Sequence, residues 1–203
     1  MKPIIDVSQH NGKIDWEEVK PFIDSAVIRL GYRGYTDGHY HLDKRFDENV
    51  YGCIKNGISF SVYYFPTDVK YAEAVNSARW INDMLTEHMI SSPVWLDSEI
   101  ASPTCSGRSD KQPPSFRSGL LAELYSELRA YGYQSGVYCS DAWCDDALDM
   151  SIMGGIPFWI ARYSTKRPRH DHVAWQYSSK VRLPGISGFV DCSVLKGETI
   201  DAV

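Results

Sequence analysis

Short runs of β-branched and aromatic residues alternate along this chain with segments that repeat apolar residues at helical spacing. The clearest such segment is residues 71–89, where Ala74, Ala78, Ile81 and Leu85 recur on one face. The β-branched and aromatic runs predict strands at residues 3–7, 25–32, 58–65, 93–97, 135–139, 157–161, 173–177 and 188–192, with a weaker candidate at 180–183. Further helices are predicted at residues 15–22, 44–55, 116–131 and 142–150.

This order of elements predicts a single α/β domain in residues 1–203, folded as an eight-stranded β/α barrel. Strands that alternate with helices favour a parallel sheet, and about 200 residues is the lower limit for such a barrel. The intervals after residue 157 hold no helix-sized apolar pattern, so we expect about five outer helices. An open doubly wound sheet is the alternative, but the chain has no glycine-rich phosphate loop to favour it.

The composition is typical of an ordered globular protein. Of the 203 residues, 43% are hydrophobic and 13% aromatic, and the net charge is −5. A negative net charge argues against a nucleic-acid partner, and no apolar run approaches the ~18 residues of a membrane span. The N-terminus becomes polar at Asp6, too early for a signal peptide, so we expect synthesis in the cytoplasm.

Four carboxylates stand at the ends of predicted strands. Asp6 ends the first strand and Asp191 the last. Asp97 and Glu99 end the fourth. Because catalytic groups of a β/α barrel lie at the carboxyl ends of its strands, we expect the four acids at one mouth. Like charges raise one another's pKa, so this costly arrangement indicates a function.

Asp97 and Glu99 give the sharpest local signal. In an extended strand, side chains two residues apart point to the same side, about 7 Å from each other. Glycoside hydrolysis needs such a pair, with one carboxyl protonated for the leaving oxygen and the other ionised to stabilise or attack the sugar. A pair of solvated acids at a strand end is the alternative.

Aromatic residues also collect near the predicted strand ends. Flat rings with a polar group suit sugar binding, whereas packing in the barrel core and rim is the alternative role. The candidate substrate contacts are Tyr32, Tyr63, Tyr138, Trp159, Tyr163 and Trp175.

The sequence predicts neither a metal site nor an organic cofactor. The five cysteines fit no zinc spacing. The two His-x-His pairs, at residues 39–41 and 170–172, fall in predicted polar loops.

Eight sequence blocks, in order along the chain, resemble glycoside hydrolase family 25, the muramidases of bacteria and many phage endolysins. The first is IDVSQHNG at residues 5–12, followed by Ile14-Asp15-Trp16. The others are VIRLGY (27–32), SVYYF (61–65), VWLDSE (94–99), GVY (136–138), FWIARY (158–163), WQYS (175–178) and GFVDCS (188–193).

This resemblance implies a β/α barrel with few outer helices that cleaves the β-1,4 bond between N-acetylmuramic acid and N-acetylglucosamine. Glu99 matches the general acid and Asp97 its acidic partner. Asp6 and Asp191 match the other two site carboxylates, whereas Tyr63 and Tyr138 match aromatic positions of the groove.

The implied partner is a peptidoglycan glycan strand, bound by a monomer without a separate wall-binding module. The protein would be made in the cytoplasm of a bacterium or phage host and act on the cell wall. The nucleophile stays open between Asp97 and the substrate's acetamido oxygen, and an inverting route is a third possibility. An N-acetylglucosaminidase, a chitinase-like hydrolase and a non-catalytic glycan-binding barrel are the other readings.

Overall fold

The computed structural model describes residues 2–198. Its strands are β1 (Ile4–Val7), β2 (Ser25–Arg33), β3 (Tyr40–Leu42), β4 (Ser59–Phe65), β5 (Val94–Asp97), β6 (Ser135–Ser140), β7 (Phe158–Ala161), β8 (Ala174–Val181) and β9 (Val190–Leu195). Its α-helices are α1 (Trp16–Val19), α2 (Phe46–Asn56), α3 (Tyr71–Glu87), α4 (Pro114–Ala130) and α5 (Asp141–Asp146). Within residues 2–198, no helix is both long and apolar enough to cross a membrane.

Eight of the strands close into a barrel, which confirms the predicted fold class. Around the ring the order is β1, β9, β8, β7, β6, β5, β4 and β2, and β2 pairs with β1 to complete it. The strand β9 runs antiparallel to both neighbours, whereas the other barrel strands are parallel to one another. The five helices form the reduced outer layer that the sequence predicts.

Alternating side chains separate an outer core from the barrel interior. Outward residues such as Ile28, Val62 and Leu96 are fully buried in the main core. A second cluster, built on Val27, Trp159 and Ala174, fills part of the barrel interior. Interior positions toward the carboxyl ends of the parallel strands are polar, and they include Asp6, Arg29, Asp97 and Gln176.

The structure corrects three element predictions. Residues 40–42, expected in a polar loop, form β3 and pair antiparallel with β2. The strand β8 continues to Val181 and includes the first half of the weaker candidate at 180–183. Register shifts after Gln176 and Ser178 interrupt the alternation there and divide the pattern in two. The helix α5 ends at Asp146 rather than at residue 150.

The loop after β5 is fixed against the hairpin of β2 and β3. The backbone N–H of Arg108 donates to the carbonyl of Tyr35 (2.9 Å), and the Arg108 guanidinium donates to Glu73 (2.8 Å). Ser109 of this loop borders the same small cavity as Glu99. The loop therefore forms a fixed wall beside the barrel mouth.

Candidate active site

A cavity of about 90 Å³ opens at the carboxyl ends of the parallel strands. It brings together all four acids and three of the six aromatic residues singled out in the sequence. Its lining is Asp6, Tyr63, Asp97, Glu99, Tyr138, Trp159 and Asp191.

Asp191 lines this cavity for a different geometric reason from the one predicted. It lies near the start of β9, not at the end of a strand. Because β9 runs antiparallel, its first residues lie at the mouth, directly opposite Asp6 of β1. Opposed residues of an antiparallel pair have Cβ atoms about 5 Å apart, so the fold holds two carboxyls side by side.

Asp97 and Glu99 occupy different depths of the same cavity. The strand β5 ends at Asp97, which is buried, and Glu99 lies beyond the strand end on the exposed rim. The Oδ1 atom of Asp97 has no hydrogen-bond partner within the described residues. Between them, Ser98 Oγ accepts a hydrogen bond from Trp143 Nε1 (3.1 Å), which ties the segment to α5.

Desolvation in the cavity is the largest cause that raises the pKa of all four carboxyls. For Asp97 the charges of Glu99 and Asp6 add to this effect, and the Arg29 guanidinium opposes it by lowering the pKa. The charge of Asp191 further raises the pKa of both Glu99 and Asp6. The cluster therefore keeps protons at pH values where isolated carboxyls are ionised.

Trp159 and Tyr138 form one wall of the cavity. Trp159 is buried and donates its Nε1–H to Ser193 Oγ (3.0 Å). The two ring centroids lie 4.5 Å apart. Trp159 is therefore a rigid packed surface that supports the more exposed tyrosine ring.

The remaining predicted aromatic residues lie outside this cavity. Tyr163 is exposed at the rim. Tyr32 stacks on His41, with centroids 4.8 Å apart. Trp175 is buried and donates its Nε1–H to the carbonyl of Arg162 (2.9 Å). The structure therefore brings neither Tyr32 nor Trp175 to the acids.

A larger groove of about 570 Å³ continues from the cavity, and Glu99 and Tyr138 line both. The other groove residues come from β6, α5, β7 and the loop that follows β7. They are Ser140, Asp141, Ala142, Ala161, Arg162, Tyr163 and Arg169. A chain-like ligand can thus extend from the acids along one side of the mouth.

Comparison with known protein families places the chain in one of them. The family model described as Glycosyl hydrolases family 25 matches residues 5–186. The chain belongs to this family. Membership confirms the resemblance read from the sequence and, with it, the glycoside hydrolase class.

Curated relatives of this family 25 chain share about a quarter of its residues. Lysozyme M1 of Streptomyces globisporus is 25% identical over 208 residues, covering 95% of this chain and 67% of the lysozyme. The uncharacterized protein YegX of Escherichia coli (strain K12) is 26% identical over 198 residues, covering 95% of this chain and 69% of YegX.

Solved structures share the fold. The modular autolysin LytC from Streptococcus pneumoniae, in complex with synthetic peptidoglycan ligand, matches with a TM-score of 0.82 and 24% identity. That match covers 95% of this chain and 46% of LytC, so the chain spans less than half the length of the autolysin. The bacterial lysozyme from Streptomyces coelicolor matches with a TM-score of 0.78 and 22% identity, covering 97% of this chain and 92% of the lysozyme.

Gln176 is a residue of the candidate site to which sequence reasoning gave no role. It is buried, donates from Nε2 to Asp6 Oδ2 (2.9 Å), and accepts at Oε1 from the hydroxyls of Tyr138 (2.8 Å) and Tyr163 (3.0 Å). The signal that marks it is a polar side chain at an inward position of β8, a strand that begins with buried residues.

Residues 2–198 contain no group of three or more His, Cys, Asp or Glu side chains with an arrangement suited to a metal ion.

Proposed function

We propose that the protein is an N-acetylmuramidase, a peptidoglycan hydrolase that cleaves the β-1,4 bond between N-acetylmuramic acid and N-acetylglucosamine. The observation that carries this proposal is the meeting of four carboxyls with raised pKa values in one cavity beside aromatic rings. Family membership and the likeness to lysozymes support it.

Glu99 is the proton donor in this proposal. It is the exposed member of the cluster, where the oxygen of a glycosidic bond can reach it. Its raised pKa keeps a proton available at pH values where an isolated glutamate is ionised. After the leaving sugar departs, the same carboxylate takes a proton from the attacking water.

Asp97 stabilises the sugar that remains. Its free Oδ1 is available for either of two retaining routes. In one, Asp97 attacks the anomeric carbon; in the other, it orients the acetamido group, whose oxygen attacks instead. In both, Asp6 and Asp191 lie side by side, and in their ionised form they stabilise the oxocarbenium-like centre.

The proposed partner is a single peptidoglycan strand, and the place of action is the cell wall, where such strands occur. We propose that a monomer does this work, because the cavity and its groove are built from one chain. All four carboxyls of the cluster are present, which favours turnover over a purely glycan-binding role.

Product analysis tests the proposal. Purified peptidoglycan is digested with wild type and with Glu99→Gln, the products are reduced with borohydride, and the reduced sugar is identified by mass spectrometry. We expect reduced muramic acid from wild type and a rate lower by about 10²–10⁴-fold for Glu99→Gln.

Each other outcome contradicts a defined part of the proposal. Reduced glucosamine would move the enzyme to the other bond of the strand, and a wild-type rate for Glu99→Gln would remove Glu99 from the acid role. Absence of product from several wall types would favour a binding protein. Because Glu99→Gln removes one charge from a group of like charges, the variant should melt at or above the wild-type temperature, and the same samples can verify that it is folded.

A further inference from the structure

The groove that continues from the acids has two arginines in its lining. Arg162 follows β7 and Arg169 lies in the next loop, and both line the groove with Glu99. Among the lining residues these two are the cations. A ligand that extends from the catalytic cavity along this groove therefore passes two arginines.

Asp141 holds both arginines in place. Its Oδ2 accepts from Arg162 Nη1 (2.9 Å) and Arg169 Nε (3.1 Å), while its Oδ1 accepts from the backbone N–H of Arg169 (2.9 Å). Asp145 accepts from a second nitrogen of Arg169. The guanidinium positions are therefore fixed before any ligand arrives, which reduces the entropy lost on binding.

Each guanidinium keeps further donors for a ligand. A guanidinium carries five N–H groups in a rigid fork, and Asp141 takes only one nitrogen of Arg162. Asp141 and Asp145 balance the two positive charges, so the groove exerts little long-range attraction. What it offers is short-range N–H donors, the partner that a carboxylate binds best.

The glycan strand of the proposed function carries carboxylates only on its muramic acid units. The lactyl ether of muramic acid ends in a carboxyl group, which in the wall is extended by a peptide with carboxylates of its own. A polymer of N-acetylglucosamine has neither. Near the catalytic acids a carboxylate would be repelled, and the free N–H donors of the two arginines are the groups of the groove that can bind it.

We propose that the groove is a carboxylate subsite for the muramyl substituent, with Arg162 and Arg169 as its ligands. This inference rests on the proposed muramidase function and deepens it. The subsite makes the enzyme prefer strands with muramic acid over chitin-like strands. Its carboxylate comes from either the lactyl group or the stem peptide.

Three forms of one glycan strand distinguish these sources. The first carries stem peptides. The second has been stripped by an amidase, which leaves free lactyl carboxylates. The third has been stripped and its lactyl carboxylates converted to methylamides, so that no carboxylate remains. The measured quantity is kcat/KM for each strand, expressed relative to the methylamide strand.

For wild type we expect a ratio of about ten for at least one carboxylate-bearing strand, as the loss of a charge-assisted hydrogen bond implies. The strand with the higher ratio identifies the source. Arg162→Gln and Arg169→Gln should each bring the ratio close to one. The matched control is Arg167→Gln, in the same loop, because Arg167 lies over the Trp175 ring (5.8 Å) and outside the groove lining; it should keep the wild-type ratio.

Equal cleavage of all three strands by wild type would overturn the subsite and leave the muramidase function standing. An unchanged ratio in both glutamine variants would overturn it as well. Absence of cleavage of every strand would instead contradict the proposed function itself. The side chain of Arg169 is 59% exposed, so Arg169→Gln decides the question even if Arg162→Gln does not fold.

Discussion

Glu99 borders two groups of carboxylates, and the surroundings of the two groups shift their pKa values in opposite directions. The catalytic acids (Asp6, Asp97, Glu99 and Asp191) face one another, and their pKa values are raised. The rim acids (Asp141 and Asp145) face Arg169 and its neighbours. Burial acts to raise the pKa of Asp141, but hydrogen bonds from Arg169 outweigh it and lower the pKa below its usual range. Hydrogen bonds from His170 and Arg169 lower that of Asp145.

The rim acids stabilise the fold, whereas the catalytic acids are retained although their mutual repulsion destabilises it. Paired carboxylates order a loop, as Asp141 does for Arg169 and His170 through their backbone N–H groups (2.9 and 3.5 Å). Carboxylates held together without enough cations destabilise the folded protein, and their pKa values are shifted. An acid catalyst requires a raised pKa, so a group of carboxylates with too few cationic partners is the better mark of a reaction site.

The rim acids give the larger predicted effect on stability. Asp141→Asn should lower the free energy of unfolding by about 1–2 kcal/mol, because it removes charge-assisted hydrogen bonds whose arginine partners are partly exposed and screened. Urea denaturation followed by circular dichroism measures this change. The control is Asp146→Asn, an exposed aspartate of the same helix that should unfold as wild type does. Equal stability of both variants would show that the rim acids are not structural.

Most of the barrel could be predicted from local patterns, because each strand carries its own alternation or apolar run. Strand direction could not. The run at residues 188–192 is compatible with either orientation, and only its pairing with β1 and β8 in the structure shows that β9 is antiparallel. The prediction that Asp191 lies in this cavity is therefore correct, whereas its geometric reason is wrong.

Aromatic side chains show a second limit of the sequence. Proximity to a strand end does not say whether a ring points into the barrel. Gln176 points inward to Asp6, so the adjacent Trp175 points outward, into the packing behind β8. Tyr63 and Tyr138 occupy inward-facing positions of their strands and line the cavity. The residues of a strand that face inward must therefore be known before its aromatic rings can be assigned to a site.

Replacement of Gln176 should leave the catalytic acids with one hydrogen-bond donor fewer and shift their protonation further. Gln176→Leu deprives Asp6 of a donor and leaves the buried Tyr138 hydroxyl without its acceptor. We expect kcat/KM to fall about tenfold. The hydrogen bond from Gln176 lowers the pKa of Asp6, so its loss should raise that pKa and move the acidic limb of the pH–activity profile to higher pH.

The exposed Gln134→Leu is the matched control for this profile, because it changes the same side chain away from the acids. A Gln176→Leu enzyme with lower activity but an unmoved acidic limb would mean that Gln176 only packs the barrel. In that case the charge on Asp6 would not depend on the amide.

The smallest predicted effect is on thermal stability, and its sign depends on pH. Asp97 has a pKa raised above its ordinary value of about 3.9, so the folded state binds its proton more tightly than the unfolded state. Its contribution to stability is then fully present below that ordinary value and is lost as the pH rises through the raised pKa. Asp97→Asn, which carries no charge, should therefore melt roughly 2–4 °C above wild type at neutral pH, as expected for about 1 kcal/mol in a chain of this size.

Melting curves between pH 4.5 and pH 8 test that sign and complete the comparison of the two groups. Across this range the rim acids stay ionised, because their pKa values are lowered, so the deficit of Asp141→Asn should hold constant. The gain of Asp97→Asn should instead grow with pH, since the wild-type carboxyl is increasingly forced to ionise beside Glu99 and Asp6. A gain that is the same at every pH would come from packing alone, and a loss at neutral pH would mean that the Asp97 charge stabilises the folded protein.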